Sequence, residues 1–325
     1  MSNIVNRFDI NDSELLFFDI FFKNNKIYLI LPIYNEPYDT DDIKIKVNNT
    51  DNIYITTKFI KNNWEPALIY IYDYISDLKQ IELSIEYNNI TKSFVLEHII
   101  SNNIHHKLSL TTLFKDDYVL FPFFYNYYKN QGVSHFYMYY NGKITSEIRR
   151  IFDKSDVTLI EWDFPYWIDK KINSKHMHHA QMGQMHDAVY RFGKDICDYM
   201  IFCDLDEYLY IANTKLIKFI EENNNIDIIG FCNKWSDVVD DSLLRQPLMF
   251  PSKLLTSPLY YYGNRSKNIY NLNSINIIGI HRGYEFSKID INSVTDFYMF
   301  HFYKWNNSIR ETKIDGNCNI LEIIY

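Results

Sequence analysis

Glycine and proline are scarce in this chain, nine and eight among 325 residues. So few backbone hinges exclude a collagen-like, Gly-rich or Pro-rich low-complexity architecture. The four cysteines, Cys197, Cys203, Cys232 and Cys318, stand singly. Without a Cys-x-x-Cys pair, neither a zinc ribbon nor a redox motif is encoded. Positive charge is also short: 33 Lys and Arg against 41 Asp and Glu give a net charge of −8. That balance argues against a general binder of nucleic acid or of anionic membranes. No apolar run approaches the ~20 residues that cross a bilayer. The first residues lack the basic start and apolar core of a secretory signal. Together these absences predict a soluble chain of a reducing, cytoplasmic compartment.

What is present is a large apolar complement. Hydrophobic residues make up 47%, with 28 Tyr and 23 Phe, enough to bury a substantial core. Residues 1 to 104 read as short segments rich in Ile, Val, Tyr and Thr, separated by Asn/Asp turns, as in "KIYLILPIYN" and "QIELSIEYNN". This texture predicts a small all-β sandwich. From residue 105 to 325 the pattern changes, with strands alternating with helical segments. "LSLTTLF" is an apolar strand; "DDYVLFPFFYNYYKNQG" predicts a helix opened by Asp116 or Asp117 and closed at Gly132. "VSHFYMYY" and "DVTLIEW" are further strands, "ITSEIRRIFDK" a helix, and "SKHMHHAQMGQMHDAVYRFG" a helix before a fourth strand. Such alternation predicts an α/β domain with a mostly parallel sheet, whose ligands gather at the carboxyl ends of its strands.

One strand ends in a dense group of charge. "YMIFCDLDEY" runs from continuous apolar residues, the mark of a strand covered on both faces, into Asp204, Asp206 and Glu207. Side chains two apart on an extended chain share a face, so Asp204 and Asp206 are expected side by side. Paired carboxylates repel and lose solvation unless a cation joins them. A hard divalent ion, Mn2+ or Mg2+, suits oxygen ligands and can stabilise a leaving diphosphate. A water-facing acidic loop, or Asp206 capping a helix that starts near Ala212, are the plainer readings.

"DLDEY" after an apolar strand resembles the Asp-x-Asp-Glu-Phe motif of glycosyltransferase family 92, a group with the Rossmann-like GT-A fold. "LFKDDYVLFPFFYNYYKNQGVSHFYMYYN", "QMGQMHDAVYR", "NRSKNIYNLNSINIIGIHRG" and "MFHFYKWNNSIRETK" are similar, in the same order, to other segments of that family, over roughly residues 107 to 314. The resemblance implies transfer of a galactose-like hexose from a nucleoside diphosphate sugar, most simply UDP-linked, to a hydroxyl of a glycan or glycoprotein acceptor. It implies a metal site of Asp204 and Asp206, with His301 or His281 as a late ligand. It implies nucleotide-sugar contacts from Lys115, Asp117, Asn141, Gln181, His186, Asp187 and Asp204, with Arg265 and Lys267 against the diphosphate. The sequence departs from the family where "FPFF" replaces a Glu-Trp, where only Asn141 remains of a Ser and Asp turn, and at Tyr208 and Phe302.

An inverting transfer needs a carboxylate to take the acceptor's proton; Asp237 and Glu285 are the candidates. Trp235 and Trp305 are candidates for stacking on a sugar, although buried aromatics usually pack. His176, His178, His179 and His186 crowd one segment, but no His-Glu-x-x-His or cysteine partner supports zinc. The rival functions on the same carboxylates are a metal-dependent phosphodiesterase or nucleotidyltransferase, and a catalytically dead glycan-binding module.

Overall fold

The described N-terminal residues, rich in Ile, Tyr, Phe and Leu, form strands. They are β1 (Phe8–Asp9), β2 (Leu15–Phe17), β3 (Asp19–Lys23), β4 (Lys26–Leu31), β5 (Ile33–Tyr34), β6 (Lys44–Val47), β7 (Ile55–Lys61), β8 (Ala67–Asp73), β9 (Gln80–Tyr87) and β10 (Ile90–Ile99). The computed structural model describes residues 5–10, 15–34, 43–49, 55–61, 67–100, 104–168, 176–238, 251–258, 265–281, 296–302 and 319–322. Then follow β11 (His106–Phe114), α1 (Phe121–Asn130), β12 (His135–Tyr140), α2 (Ser146–Ile151), β13 (Val157–Glu161), β14 (Trp167–Ile168) and β15 (His176–His179). The series ends with α3 (Ala180–Asp187), β16 (Cys197–Phe202), β17 (Glu207–Ile211), α4 (Leu216–Glu222), β18 (Ile228–Val238), β19 (Lys253–Thr256), β20 (Lys267–Asn271), β21 (Phe297–His301) and β22 (Asn319–Glu322). No described helix is long and apolar enough to cross a membrane.

By compactness the chain divides into two units: Met1–His105 with Ile160–Ile196, and His106–Leu159 with Cys197–Tyr325. The first unit holds a seven-stranded sheet in the order β6-β9-β10-β3-β4-β8-β7. Its hydrogen bonding runs unbroken through β10, which pairs with β9 over its first eight residues and with β3 at His98 and Ile99. Alternation in β9 turns Ile81, Leu83, Ile85 and Tyr87 inward, into one apolar cluster with Phe22, Leu29 and Tyr72. The segment 160–196, which the sequence leaves in the second domain, belongs to this unit. Its β15 pairs with β5 and with β14, so within the predicted helix over 174–193 residues His176–His179 form a strand and the helix starts only at Ala180. The histidines there are divided between a strand and a helix. A ring stack of Phe18 on Trp162 fixes the segment further, and Phe18 leaves no space for a Cβ at Gly183.

A buried charge cluster closes the first unit. Arg191 pairs with Asp19 and, at 3.3 Å, with Asp187. All three are 2% exposed or less. Burial is the largest influence on Asp19 and raises its pKa well above the carboxylate range; Arg191 opposes this and the hydrogen-bonded Asp187 adds to it.

The second unit is built on a sheet ordered β13-β12-β11-β16-β20-β18-β19-β22, with β21 pairing β18 and β17 off this path. Its opening is as the sequence predicts: β11 lies between β12 and β16, parallel to both. The expectation of a mostly parallel sheet is corrected beyond β16. There β20 is antiparallel to β16 and β18, β19 to β18 and β22, and β17 to β21. Parallel neighbours need a crossover segment, and among described residues α4 is the one helix after β16. The opening of α1 also differs: a 3-10 turn precedes it, and the Asp117 side chain makes no cap, accepting instead from the Lys115 N–H at 3.1 Å. The helix ends where Gly132 takes φ +98°, a conformation that disfavours a side chain.

The Asp19 cluster makes stability depend on pH with a definite sign. The folded chain keeps a proton on Asp19 that the unfolded chain releases near pH ~4. This contribution is therefore full below that pH and is lost as pH rises toward the folded value. Melting temperatures measured from pH 5 to 8 should fall less in Asp19→Asn than in the wild type, since the amide stands in for the protonated acid. Equal slopes would remove Asp19 as the cause.

Candidate active site

The acidic group at the end of β16 is a tight reverse turn. The Asp204 carbonyl accepts from the Glu207 N–H at 3.0 Å. The Glu207 carboxylate returns to accept from the Asp204 N–H at 2.8 Å. This reciprocal pair folds Asp204–Glu207 back on itself, so Asp204 and Asp206 are not side by side on extended chain. They face different cations. Lys267 on β20 donates to Asp204 at 3.0 Å and to Glu207 at 3.1 Å. His301 on β21 lies 3.4 Å from Asp206 and 3.6 Å from Glu207. Since β17 begins at Glu207, Asp206 caps no helix.

Core packing holds the turn in place. Leu205 is fully buried. From α1, the Tyr128 hydroxyl donates to the Glu207 carbonyl at 2.9 Å and accepts from the Leu209 N–H at 3.0 Å and from Cys203 Sγ at 3.3 Å. Tyr127 donates to the Leu209 carbonyl at 2.8 Å. The Phe302 N–H donates to the Asp206 carbonyl at 2.9 Å, which seats the end of β21 beside the turn. The Trp235 ring of β18 lies 4.4 Å from His301, and the Arg265 guanidinium lies 5.5 Å over Trp235.

Burial and charge set the protonation states. Asp206, Glu207, Lys267 and His301 are all buried; Asp204 is the open member, 37% exposed. Burial, then the Asp204 charge, push Glu207 up to about 7. Burial also raises Asp204, but Lys267, by charge and hydrogen bond, outweighs it and leaves the group below its ordinary value. Burial lowers Lys267, and its two carboxylates more than reverse that. The same contest raises His301, through Asp206 and Glu207. Asp117 is pushed to about 6, mainly by burial, with the charges of Asp206 and Asp204 adding.

The structure therefore gathers Asp117, Asp204, Asp206, Lys267 and His301 around one turn. His281 acts on Asp204 through its charge, with Nδ1 3.1 Å from the Ser266 carbonyl. Asn141 is buried at the end of β12, its N–H bound to the Phe114 carbonyl at 2.8 Å. Lys115 is exposed. Asp237 is buried on β18, two residues beyond Trp235. Gln181, His186 and Asp187 belong to the first unit. There Gln181 accepts from Tyr166 at 3.0 Å, His186 Nδ1 meets the Met182 carbonyl at 2.8 Å, and Asp187 pairs with Arg191. Glu285 and Trp305 lie outside the described residues. The sequence reading omitted Glu207 from the site, although it joins both cations; its place beside the Asp-x-Asp was the available signal.

Among the described residues, no three His, Cys, Asp or Glu side chains form a ready cage for a metal. The donor chemistry nevertheless fits Mn2+ or Mg2+. Such ions are commonly held by one or two carboxylates plus substrate phosphates rather than by a full protein cage. Asp206 and His301, the latter in its neutral form, with the open Asp204, would present carboxylate oxygens and an imidazole nitrogen.

The family model of glycosyltransferase family 92 matches residues 108–314, more than half of the chain. The chain belongs to glycosyltransferase family 92. The match contains the acidic turn, Lys267 and His301. No curated protein matches significantly. Among solved structures, the mannosyltransferase Ktr4p from S. cerevisiae is 12% identical, with a TM-score of 0.25 over 42% of this chain and 44% of that one. Core-mannan synthase A from Aspergillus fumigatus, in its Mn/GDP form, is 14% identical, with a TM-score of 0.27 over 46% of each chain. The chain thus covers less than half the length of either. Likeness this slight carries neither fold nor chemistry across.

Lys267 is the counter-ion that permits two carboxylates to meet in this turn. Removing one partner of a buried ion pair costs ~3–5 kcal/mol. Lys267→Met should lose stability on that scale in urea unfolding at pH 7, and adding Glu207→Gln should restore a large part. An unchanged unfolding midpoint in Lys267→Met would contradict the ion pairs.

Proposed function

We propose that this family 92 transferase moves a hexose from a nucleoside diphosphate sugar to a hydroxyl of a glycan acceptor, with Mn2+ or Mg2+. The observation that carries the reading is the acidic turn, in which Asp206 and His301 lie 3.4 Å apart with Asp204 open beside them. A divalent ion held by these groups supplies the positive charge that a departing diphosphate needs. Lys267 keeps Glu207 and Asp204 in place, so the ligands are oriented before the donor arrives.

Asp237 is the proposed base. Its carboxylate takes the proton of the acceptor hydroxyl, the hydroxyl oxygen bonds to the anomeric carbon, and the bond from that carbon to the diphosphate oxygen breaks with its electrons. Asp237 is buried on the strand that carries Trp235, which favours it as the base. The hexose is proposed from family membership; UDP-galactose is the donor the sequence resemblance suggests. The acidic turn supports a diphosphate through the divalent ion it would hold, and is indifferent to the nucleobase.

A screen of UDP- and GDP-linked hexoses, with and without acceptor, reads release of the nucleoside diphosphate. The expected result is release that depends on Mn2+ or Mg2+ and stops with chelator. Asp206→Asn, which keeps an amide toward His301 but no charge, should stay folded with a lowered melting temperature and lose ~10²-fold or more in rate, the scale for removing one preorganised electrostatic group. Full turnover in excess chelator would overturn the metal role. Hydrolysis alone, or pyrophosphate release, would point to phosphodiester chemistry instead.

A further inference from the structure

Strand β18 carries a polar group that the acidic turn does not use. Asn233 is fully buried, and neither its Oδ1 nor its Nδ2 meets a hydrogen-bond partner among the described residues. Leaving both ends of a buried amide unmet is a standing cost to the folded state. Strand registers locate it. Alternation puts Phe231, Asn233 and Trp235 on one face of β18. In the parallel ladder with β21, Trp235 lies beside His301 and Asn233 beside Met299. In the antiparallel ladder with β17, His301 faces Glu207 and Met299 faces Leu209. On the other side, Phe231 faces Lys267. Asn233 is therefore diagonal to Lys267 across one ladder and to His301 across the other, within the range of cross-strand neighbours. These are the two cations that hold the carboxylates. Its direct neighbour Met299, and Leu209 beyond, have no group that satisfies an amide.

We infer that Asn233 is a specificity-determining residue that hydrogen-bonds a hydroxyl of the sugar being transferred. This rests on the transferase reading. The amide both donates and accepts, which matches a hydroxyl, and an ammonium or carboxylate does only one of these. Its burial is no obstacle peculiar to it. Lys267, Glu207 and His301 are 2–4% exposed, so the groups of the turn are buried nearly as fully as Asn233. The unmet amide is tolerated because the substrate completes it.

The test compares Asn233→Leu and Asn233→Ala with the wild type on the nucleoside diphosphate hexose that the wild type turns over, and on its monodeoxy analogues. The expected result is an unchanged or raised melting temperature for Asn233→Leu, because an apolar isostere removes the unmet amide. Binding of the nucleoside diphosphate with Mn2+ should be retained. kcat/KM for the intact donor should fall ~10- to 100-fold, and the fall should vanish for the analogue that lacks the hydroxyl Asn233 reads. Normal kinetics in both variants would overturn the inference and leave the transferase reading intact. So would equal losses on every analogue together with lost nucleotide binding. A wild type that turns over no nucleoside diphosphate sugar would overturn both. Asn233→Ala, which leaves space instead of bulk, supplies the comparison if Asn233→Leu does not fold.

Discussion

The ammonium of Lys267 is the constraint on which the second unit depends. Three carboxylates within four residues cannot be carried into a core on their own, because each loses its hydration and repels the others. Lys267 reaches from β20 to Asp204 and Glu207 at 3.0 and 3.1 Å, and His301 covers Asp206 from β21. Two cations on two strands thus determine where three acids are allowed to be. The adjacency of these strands meets this need. β20 must lie against β16 for its lysine to reach the turn, and β21 against β17 for its histidine to do so.

Those pairs also explain the chemistry available. Glu207, raised to about 7, is shared between Lys267, His301 and the Asp204 amide, and is a structural acid. Asp204 is left as the open carboxylate of the turn, and Asp206 as a buried one against His301. The Tyr128 hydroxyl links α1 to the backbone of β17 at Glu207 and Leu209, and to the Cys203 side chain just past β16. The turn is therefore fixed from below by a helix and from the side by two strands, which is the rigidity a site needs to hold ligands in a set geometry.

Some of this was legible in the sequence and some was not, for physical reasons. The buried strand β16 is a continuous apolar run, and the parallel opening β11-α1-β12-α2 shows in strict alternation; both are local patterns. The Asp-x-Asp was visible, but its geometry was not. An extended strand was expected, whereas side-chain and backbone bonds between Asp204 and Glu207 close a turn. Lys267 and His301 were picked out by resemblance, yet their partners lie 60 and 95 residues earlier in the chain, and no periodicity encodes that. His176–His179 reads as the start of a helix, and tertiary pairing with β5 and β14 overrides it. Asn233 sits in "GFCNKWSD", where a lone amide within an apolar strand gives no sign of lacking partners until the neighbouring strands are known.

The path of the chain between the two units bears on how such a protein is inherited. The polypeptide leaves the first unit after His105, returns to it at Ile160 and leaves again after Ile196. Strand β15 completes its pairing only with β5, and Gly183 and Trp162 pack against Phe18. A gene break at residue 105 would therefore not yield two self-sufficient modules. The C-terminal piece would carry an open strand edge and a bared aromatic patch, both prone to association. The first unit is complete only when residues 160–196 are joined to the chain up to His105.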